Sequence, residues 1–275
     1  MKALPTLCGS LSLHPSPLGA AMHQAGYASL GLSFYYVPFK VTDAARVADA
    51  ITGMRALGIR GFGVSYPYKL EVMKHLDAID PLAERIGAVN TIVNDAGRLT
   101  GFNTDCDGAV RALREALPSL EGVRVLLLGA GGASSAIAHG LAHAKARVTV
   151  ANRSKARADA LARASGAEVV GWDEVSDRLS SSDVLVNGTP LGMADVDPSS
   201  PVPEGALRKG LVVMDIVFKP TETRLLAAAR ARGATAIHGG RMLLHQAARQ
   251  FELYTGREAP LEAMDAAQRQ VLAAG

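Results

Sequence analysis

Short runs rich in Val, Ile, Leu and Tyr alternate along this chain with longer stretches whose apolar positions recur at helical spacing, the pattern of an α/β fold. In the first third the strand-like runs are LCGSLS (7–12), SFYYVPF (33–39), RGFGVSY (60–66), NTIVN (90–94) and RLTGFN (98–103). The last two flank Asp95-Ala96-Gly97, a short turn that predicts an antiparallel hairpin and breaks an all-parallel pattern. A second series follows: VRVLLLG (123–129), RVTVAN (147–152), AEVVGW (167–172), DVLVNG (183–188), LVVMDIV (211–217) and ATAIHG (234–239). These runs look buried on both faces and are separated by helices, as in a doubly wound parallel sheet.

The change of pattern falls at TDCDG, where Thr104 and Asp107 stand in capping-box relation at the start of a helix. The expected organisation is an N-terminal mixed α/β substrate domain (1–104) and a Rossmann-type domain (105–238). Helices over 239–275 add no further βα unit and are expected to pack back on the first domain. The Pro/Ser-rich stretch DVDPSSPVPEG (195–205) reads as a mobile loop.

Composition narrows the classes. The chain has 275 residues, 48% hydrophobic and 20% charged, enough to bury a sizeable core and too apolar for disorder. Its net charge of +3 is scattered over both signs, so neither nucleic acid nor an acidic membrane is an expected partner. No apolar run reaches the roughly 18 residues of a membrane helix. Cys8 and Cys106 lack metal-ligand spacing and no metal is expected; the opening MKALPTLCGSL lacks a signal-peptide pattern, so a reducing cytoplasm is the expected compartment.

Two stretches carry chemistry. In GVSYPYK (63–69), Tyr66 and Pro67 read as the N-cap and first position of a helix continuing through LEVMKHLDAI (70–79), which puts Lys69 in the first turn. A cation there faces the positive end of the helix dipole, a placement that makes sense if the lysine is kept ready to exchange a proton. In VRVLLLGAGGASSAIAHGL a buried strand runs through a glycine turn into a helix, the setting of a dinucleotide site. Gly129 permits the turn and Gly131 lets backbone approach a pyrophosphate; Ala130, Gly132 and Ala133 complete the turn, and Ser134 replaces the third glycine.

Where an NAD enzyme commonly carries an acid, ANRSKAR offers Asn152, Arg153, Ser154 and Arg157, donors suited to a 2′-phosphate, so the expected cofactor is NADP. In VNGTPLGM (186–193), Asn187, Thr189 and Gly192 either border the cofactor or form a plain structural turn.

GAGGAS, NRSKAR, VNGTPLGM, DIVFKPTET and GGRMLLHQAARQFELYTG, with GFGVSYPYK, GAVNT and GFNTDCDG before them, resemble the shikimate dehydrogenase family from about Gly9 to Gly256. The resemblance implies reversible NADP-linked reduction of 3-dehydroshikimate to shikimate by a monomer or homodimer acting on a small ring carboxylic acid. By position it makes Lys69 and Asp105 the catalytic pair and Ser65, Asn90 and Gln246 substrate residues, and it sets Gly239 and Met242 beside the nicotinamide. The family's S-x-S-P serines correspond to His14 and Ser16, its N-V-T asparagine to Gly63, and its substrate-facing tyrosine to Phe218. Quinate or aminoshikimate dehydrogenase activity and a non-catalytic NADP-binding regulator are the alternatives.

Overall fold

A computed structural model describes residues 4–274; the outermost positions of the predicted domains, 1–3 and 275, lie outside the described residues. The strands are β1 (Thr6–Ser12), β2 (Phe34–Lys40), β3 (Gly61–Val64), β4 (Ala78–Ile79), β5 (Thr91–Asp95), β6 (Arg98–Phe102), β7 (Arg124–Leu128), β8 (Arg147–Ala151), β9 (Glu168–Val170), β10 (Val184–Asn187), β11 (Val212–Asp215) and β12 (Thr235–His238). The helices are α1 (Pro17–Ser29), α2 (Val47–Ala56), α3 (Pro81–Ile86), α4 (Thr104–Arg114), α5 (Gly132–His143), α6 (Lys155–Ser165), α7 (Val175–Ser180), α8 (Arg224–Ala231), α9 (Gly239–Thr255) and α10 (Leu261–Ala274). They form two units, one made of the chain up to Thr104 together with the stretch from Leu244 onward, the other spanning Asp105–Leu243.

The first unit is built on a mixed sheet of order β2-β1-β3-β5-β6-β4, in which β5 is antiparallel to both β3 and β6. Asp95 pairs with Arg98 across a two-residue loop whose Ala96 and Gly97 have φ of 51° and 92°, the left-handed pair that a tight hairpin turn needs. Side chains alternate across β3 and sort its two faces. Phe62 and Val64 join Leu11, Ile92 and Leu99 in a core closed by Val47, Ile51 and Met54 of α2. On the other face Gly61 leaves room for the ring of Tyr254 in α9, which a Cβ at that position would strike. The α9 end is fastened there by Arg60, whose guanidinium donates to the carbonyls of Tyr254 (2.9 Å) and Leu253 (3.1 Å), a cation set where the helix dipole is negative.

The helix expected from Tyr66 through Ile79 is not formed: residues 66–70 make turns, Glu71–His75 is a short 3₁₀ segment, and Ala78–Ile79 is β4, paired with β6. Tertiary bonds override the helical pattern. The buried Tyr68 donates its hydroxyl to the Val41 carbonyl (2.7 Å), the Lys69 carbonyl accepts from Val89 N–H (2.9 Å), and Asp77 N–H reaches the Leu99 carbonyl (3.0 Å). Asp77 also takes Arg55 and the Leu99 N–H on its carboxylate, which hold it below the usual carboxylate range. Lys69 therefore does not stand in the first turn of an α-helix, and no helix dipole accounts for it.

The second unit is an all-parallel sheet of order β12-β11-β10-β7-β8-β9. Its first strand, β7, lies centrally, and the chain winds outward from it in one direction and then, from β10, in the other. That reversal is where doubly wound sheets open a crevice at the strand carboxyl ends. Strands β7, β10 and β11 are buried along nearly their whole length, as their unbroken apolar runs require. The 195–205 stretch is fastened rather than loose: Gly192 N–H donates to the Asp197 carbonyl (2.7 Å), Ser199 N–H donates to Asp197 Oδ1 (2.9 Å), and Val202 and Leu207 enter the core.

Candidate active site

The carboxyl ends of β7, β8 and β10 surround a cavity of about 280 Å³ lined by Gly129, Ala130, Gly131, Asn152, Arg153, Arg157, Trp172, Gly188, Thr189, Pro190 and Leu191. Gly129 turns at a φ of 103°, and a Cβ on it would come within 2.9 Å of the Gly188 carbonyl. Gly131 is the N-cap of α5, and Cβ atoms added at Gly131 or Gly132 would meet nothing within 4 Å, so backbone at this helix N-terminus is open to an approaching anion. Arg153 and Arg157 supply the charged lining and no carboxylate is part of it. The residues present thus fit a dinucleotide with a 2′-phosphate.

Several expected cofactor residues have structural contacts of their own. Ser134 is fully buried and donates its hydroxyl to the Gly188 carbonyl (3.2 Å), tying the glycine turn to the end of β10. Asn187 is buried too: its Nδ2 donates to the Leu191 carbonyl (2.8 Å) and Asp215 Oδ1 (2.9 Å), while Oδ1 accepts from both N–H and hydroxyl of Thr189. Within VNGTPLGM the Asn187 bonds build the turn, and Thr189 both joins the turn and lines the cavity. Gly192, at φ 103°, packs against Thr223, and Met242 is part of the unit's core. Gly239 opens α9 against the Ile216 carbonyl, where a Cβ has no room. Ala133 and Ser154 stand outside the cavity lining.

Asp215 anchors the loop from beneath. Burial pushes its pKa up, opposed by bonds from the Thr223 hydroxyl (2.7 Å), Val217 N–H (3.1 Å) and Asn187. Sequence reasoning missed Trp172, Gly188, Pro190 and Leu191 as lining; the signal for Gly188, Pro190 and Leu191 was their place in VNGTPLGM after β10, and for Trp172 its place two residues beyond β9, at a strand carboxyl end.

In the first unit the centre is Asn90, only 1% exposed. Its Oδ1 accepts from Thr104 N–H (2.7 Å) and from the hydroxyls of Thr91 (2.8 Å) and Thr104 (3.2 Å), and its Nδ2 donates to Gln246 Oε1 (3.3 Å). Asn90 and Gln246, 156 positions apart, are thus brought together, as the motifs imply. Thr104, expected to cap α4, is already helical and sends both its N–H and its hydroxyl to Asn90. Ser65 follows β3 in an exposed position with Lys69, half-buried, one turn further on. Ser16 is the N-cap of α1, accepting from Leu18 N–H (3.2 Å) ahead of Pro17, and its exposed hydroxyl keeps a proton to donate; His14 is exposed beside it.

The second unit carries the remaining expected residues. Asp105 is buried in the first turn of α4, whose acids lie at its N-terminal end and whose Arg111 and Arg114 lie at the other, both in accord with the dipole. Phe218 is 40% exposed beyond β11.

A doubly wound unit with a glycine turn and an arginine-flanked cavity, joined in one chain to a mixed-sheet unit in which the Asn90 and Gln246 carboxamides meet, is the architecture of a two-domain dinucleotide-dependent oxidoreductase. The description "Shikimate dehydrogenase substrate binding domain" matches residues 14–92, "Shikimate / quinate 5-dehydrogenase" residues 111–192, and "Shikimate 5'-dehydrogenase C-terminal domain" residues 239–267. The chain is 46% identical over 258 residues, 93% of its own length and 95% of the relative's, to the shikimate dehydrogenase (NADP(+)) of Haloarcula marismortui. A shikimate dehydrogenase crystallised with NADP+ matches at a TM-score of 0.90 and 36% identity over 98% of this chain and 96% of that one. The Thermus thermophilus enzyme in complex with NADP(H) and shikimate matches at 0.87 and 36% over 97% and 99%. The chain belongs to the shikimate dehydrogenase family.

Proposed function

We infer that this chain catalyses the NADP-dependent, reversible reduction of 3-dehydroshikimate to shikimate. The observation that carries the reading is coverage: relatives named for this reaction match more than nine-tenths of the chain, through both units. Backbone N–H groups at Gly131 and the α5 N-terminus would hold the pyrophosphate of NADPH and Arg153 and Arg157 its 2′-phosphate, and the cofactor so held would supply the hydride for the ring ketone.

Lys69 donates a proton to the oxygen that becomes the alcohol, and in the oxidative direction takes it back. Asp105 holds a ring hydroxyl or orients that lysine. Asn90 and Gln246 present carboxamides to the ring hydroxyls, and Ser65, with Ser16 and His14, donates to the ring acid. The support for these roles is chemical type together with motif position, and for Asn90 and Gln246 also their mutual hydrogen bond.

The test is initial-rate NADP reduction with shikimate by the purified protein and by Lys69→Ala. The reading requires saturable turnover by the first and a kcat at least about 10²-fold lower in the second, the usual scale for losing a positioned acid–base group. A Lys69→Ala rate within a few-fold of the parent would remove the lysine from the mechanism.

A further inference from the structure

Gly63 stands where the family's motif has asparagine, and the structure shows what fills the space. A Cβ placed on Gly63 would lie 2.9 Å from Tyr36 Oη, 3.2 Å from Gln250 Nε2 and 3.4 Å from Gln250 Oε1. Gly63 pairs with Thr91 across β3 and β5, so whatever occupies this volume lies over Thr91 and next to Asn90. The volume is filled by the Tyr36 hydroxyl, which lies nearest, and beside it by the Gln250 carboxamide, brought from α9 and 4% exposed.

Its bonds have one consistent direction. Gln250 Nε2 donates to Thr91 Oγ1 (3.0 Å) and to the Asn90 carbonyl (3.3 Å). The Thr91 hydroxyl, which also lies 3.1 Å from that of Thr104, gives its own proton to Asn90 Oδ1 (2.8 Å), an oxygen that can only accept. Thr104 N–H donates to the same oxygen, which leaves Asn90 Nδ2 turned toward Gln246. At the far end His23 Nε2 meets Gln250 Oε1 at 3.4 Å, and because a carboxamide oxygen only accepts, the ring must carry its proton on Nε2. His23 is held flat against Tyr36, ring centroids 4.3 Å apart and planes within 4°, and burial keeps it neutral by pushing its pKa down to about 4. A reversed Gln250 amide would set its oxygen against the Asn90 carbonyl, so the chain from His23 to Asn90 admits one orientation.

We propose that Gln250 is a positioning residue of the ring-acid site: its carboxamide replaces the missing side chain at position 63 and, set by His23, locks Asn90 and Gln246 into their substrate-facing orientation. The proposal rests on the reading of function given above. It makes residues 63 and 250 a pair that shares one carboxamide, so that adding a second at position 63 crowds the site and removing Gln250 takes one donor from Thr91 Oγ1 and one from the Asn90 carbonyl, which also accepts from Val64 N–H (2.7 Å).

The experiment is steady-state kinetics of wild type, Gln250→Met, Gln250→Ala, Gly63→Asn and Gly63→Asn/Gln250→Ala, with shikimate and NADP varied separately and melting temperature recorded for each. Gln250→Met keeps volume without the amide; the shikimate KM should rise about tenfold, the scale of one lost buried hydrogen bond, with the NADP KM within about twofold. The single variants Gly63→Asn and Gln250→Ala should each raise the shikimate KM, and the double variant should return it to within about threefold of wild type. A purely structural role would lower the melting temperature and leave the shikimate KM in place, and that result overturns the proposal. So does a double variant worse than both singles. A wild type that turns over no shikimate overturns the functional reading and the proposal with it, whereas wild-type turnover with an unmoved KM in Gln250→Met overturns the proposal alone. If Gln250→Met does not fold, Gly63→Ala, which presses on the same amide from the sheet side, must show the selective rise in shikimate KM.

Discussion

At the residue scale, the buried polar groups carry the most consequence. His23 is neutral in the folded chain because burial pushes its pKa from 6.5 to about 4, with the Gln250 bond opposing only in part. The unfolded chain binds a proton below about pH 6.5 and the folded chain resists it down to about 4. This contribution is therefore fully present above pH 6.5 and lost as pH falls through that window, at up to about 1.4 kcal/mol per pH unit and roughly 3 kcal/mol in all. Urea unfolding of wild type and His23→Phe at pH 7.5, 6.0 and 5.0 should show a shallower pH slope in the variant; equal slopes would mean His23 is not the group being titrated. Arg153 makes a second residue-scale prediction. Arg153→Ala should raise the NADP KM about tenfold or more while leaving the NAD KM within a few-fold, as expected if its guanidinium meets the 2′-phosphate. An equal effect on both cofactors would place Arg153 elsewhere on the dinucleotide.

At the scale of elements, glycines decide how closely helices lie on the first unit's sheet. Gly61 faces the Tyr254 ring with no room for a methyl group, so Gly61→Ala should cost about 1–3 kcal/mol through overpacking. Gly53, in the interior of α2 with nothing within 4 Å of its would-be Cβ, should behave oppositely, Gly53→Ala gaining about 0.5–1 kcal/mol from helix propensity. Denaturant midpoints of the two variants decide it, and a Gly61→Ala protein as stable as wild type would contradict the packing described. The element most misread from sequence was the supposed helix after Pro67. Its proline, acid and apolar spacing suit a helix, but Tyr68 to Val41, Lys69 to Val89 and Asp77 to Leu99 are contacts between residues far apart in sequence, which local pattern does not encode. The hairpin at Ala96-Gly97 and the strand-turn-helix at Gly129 were legible because the turn residues themselves dictate the backbone there.

At the scale of the whole molecule, the order of strands in the second unit follows from unbroken apolar runs separated by helices, and the site's position at the β7/β10 reversal follows from that order. The motif residues fall into two groups that sequence did not separate. Gly131, Arg153 and Thr189 line the cavity, whereas Asn187, Ser134 and Gly192 build the loops that form it. Motif spacing records both groups alike, because a residue that shapes a loop and one that touches a ligand are equally fixed in position. The polar chain from His23 through Gln250 to Asn90 was invisible for a different reason: it joins α1, α9 and β5, and only the folded sheet brings them together.

The central claim is tested most directly by initial rates with shikimate and quinate, each with NADP and with NAD, on one preparation of the protein. The account predicts the highest kcat/KM for shikimate with NADP, by at least about tenfold over either shikimate with NAD or quinate with NADP. No NADP reduction with shikimate, or a clear preference for NAD, would contradict it.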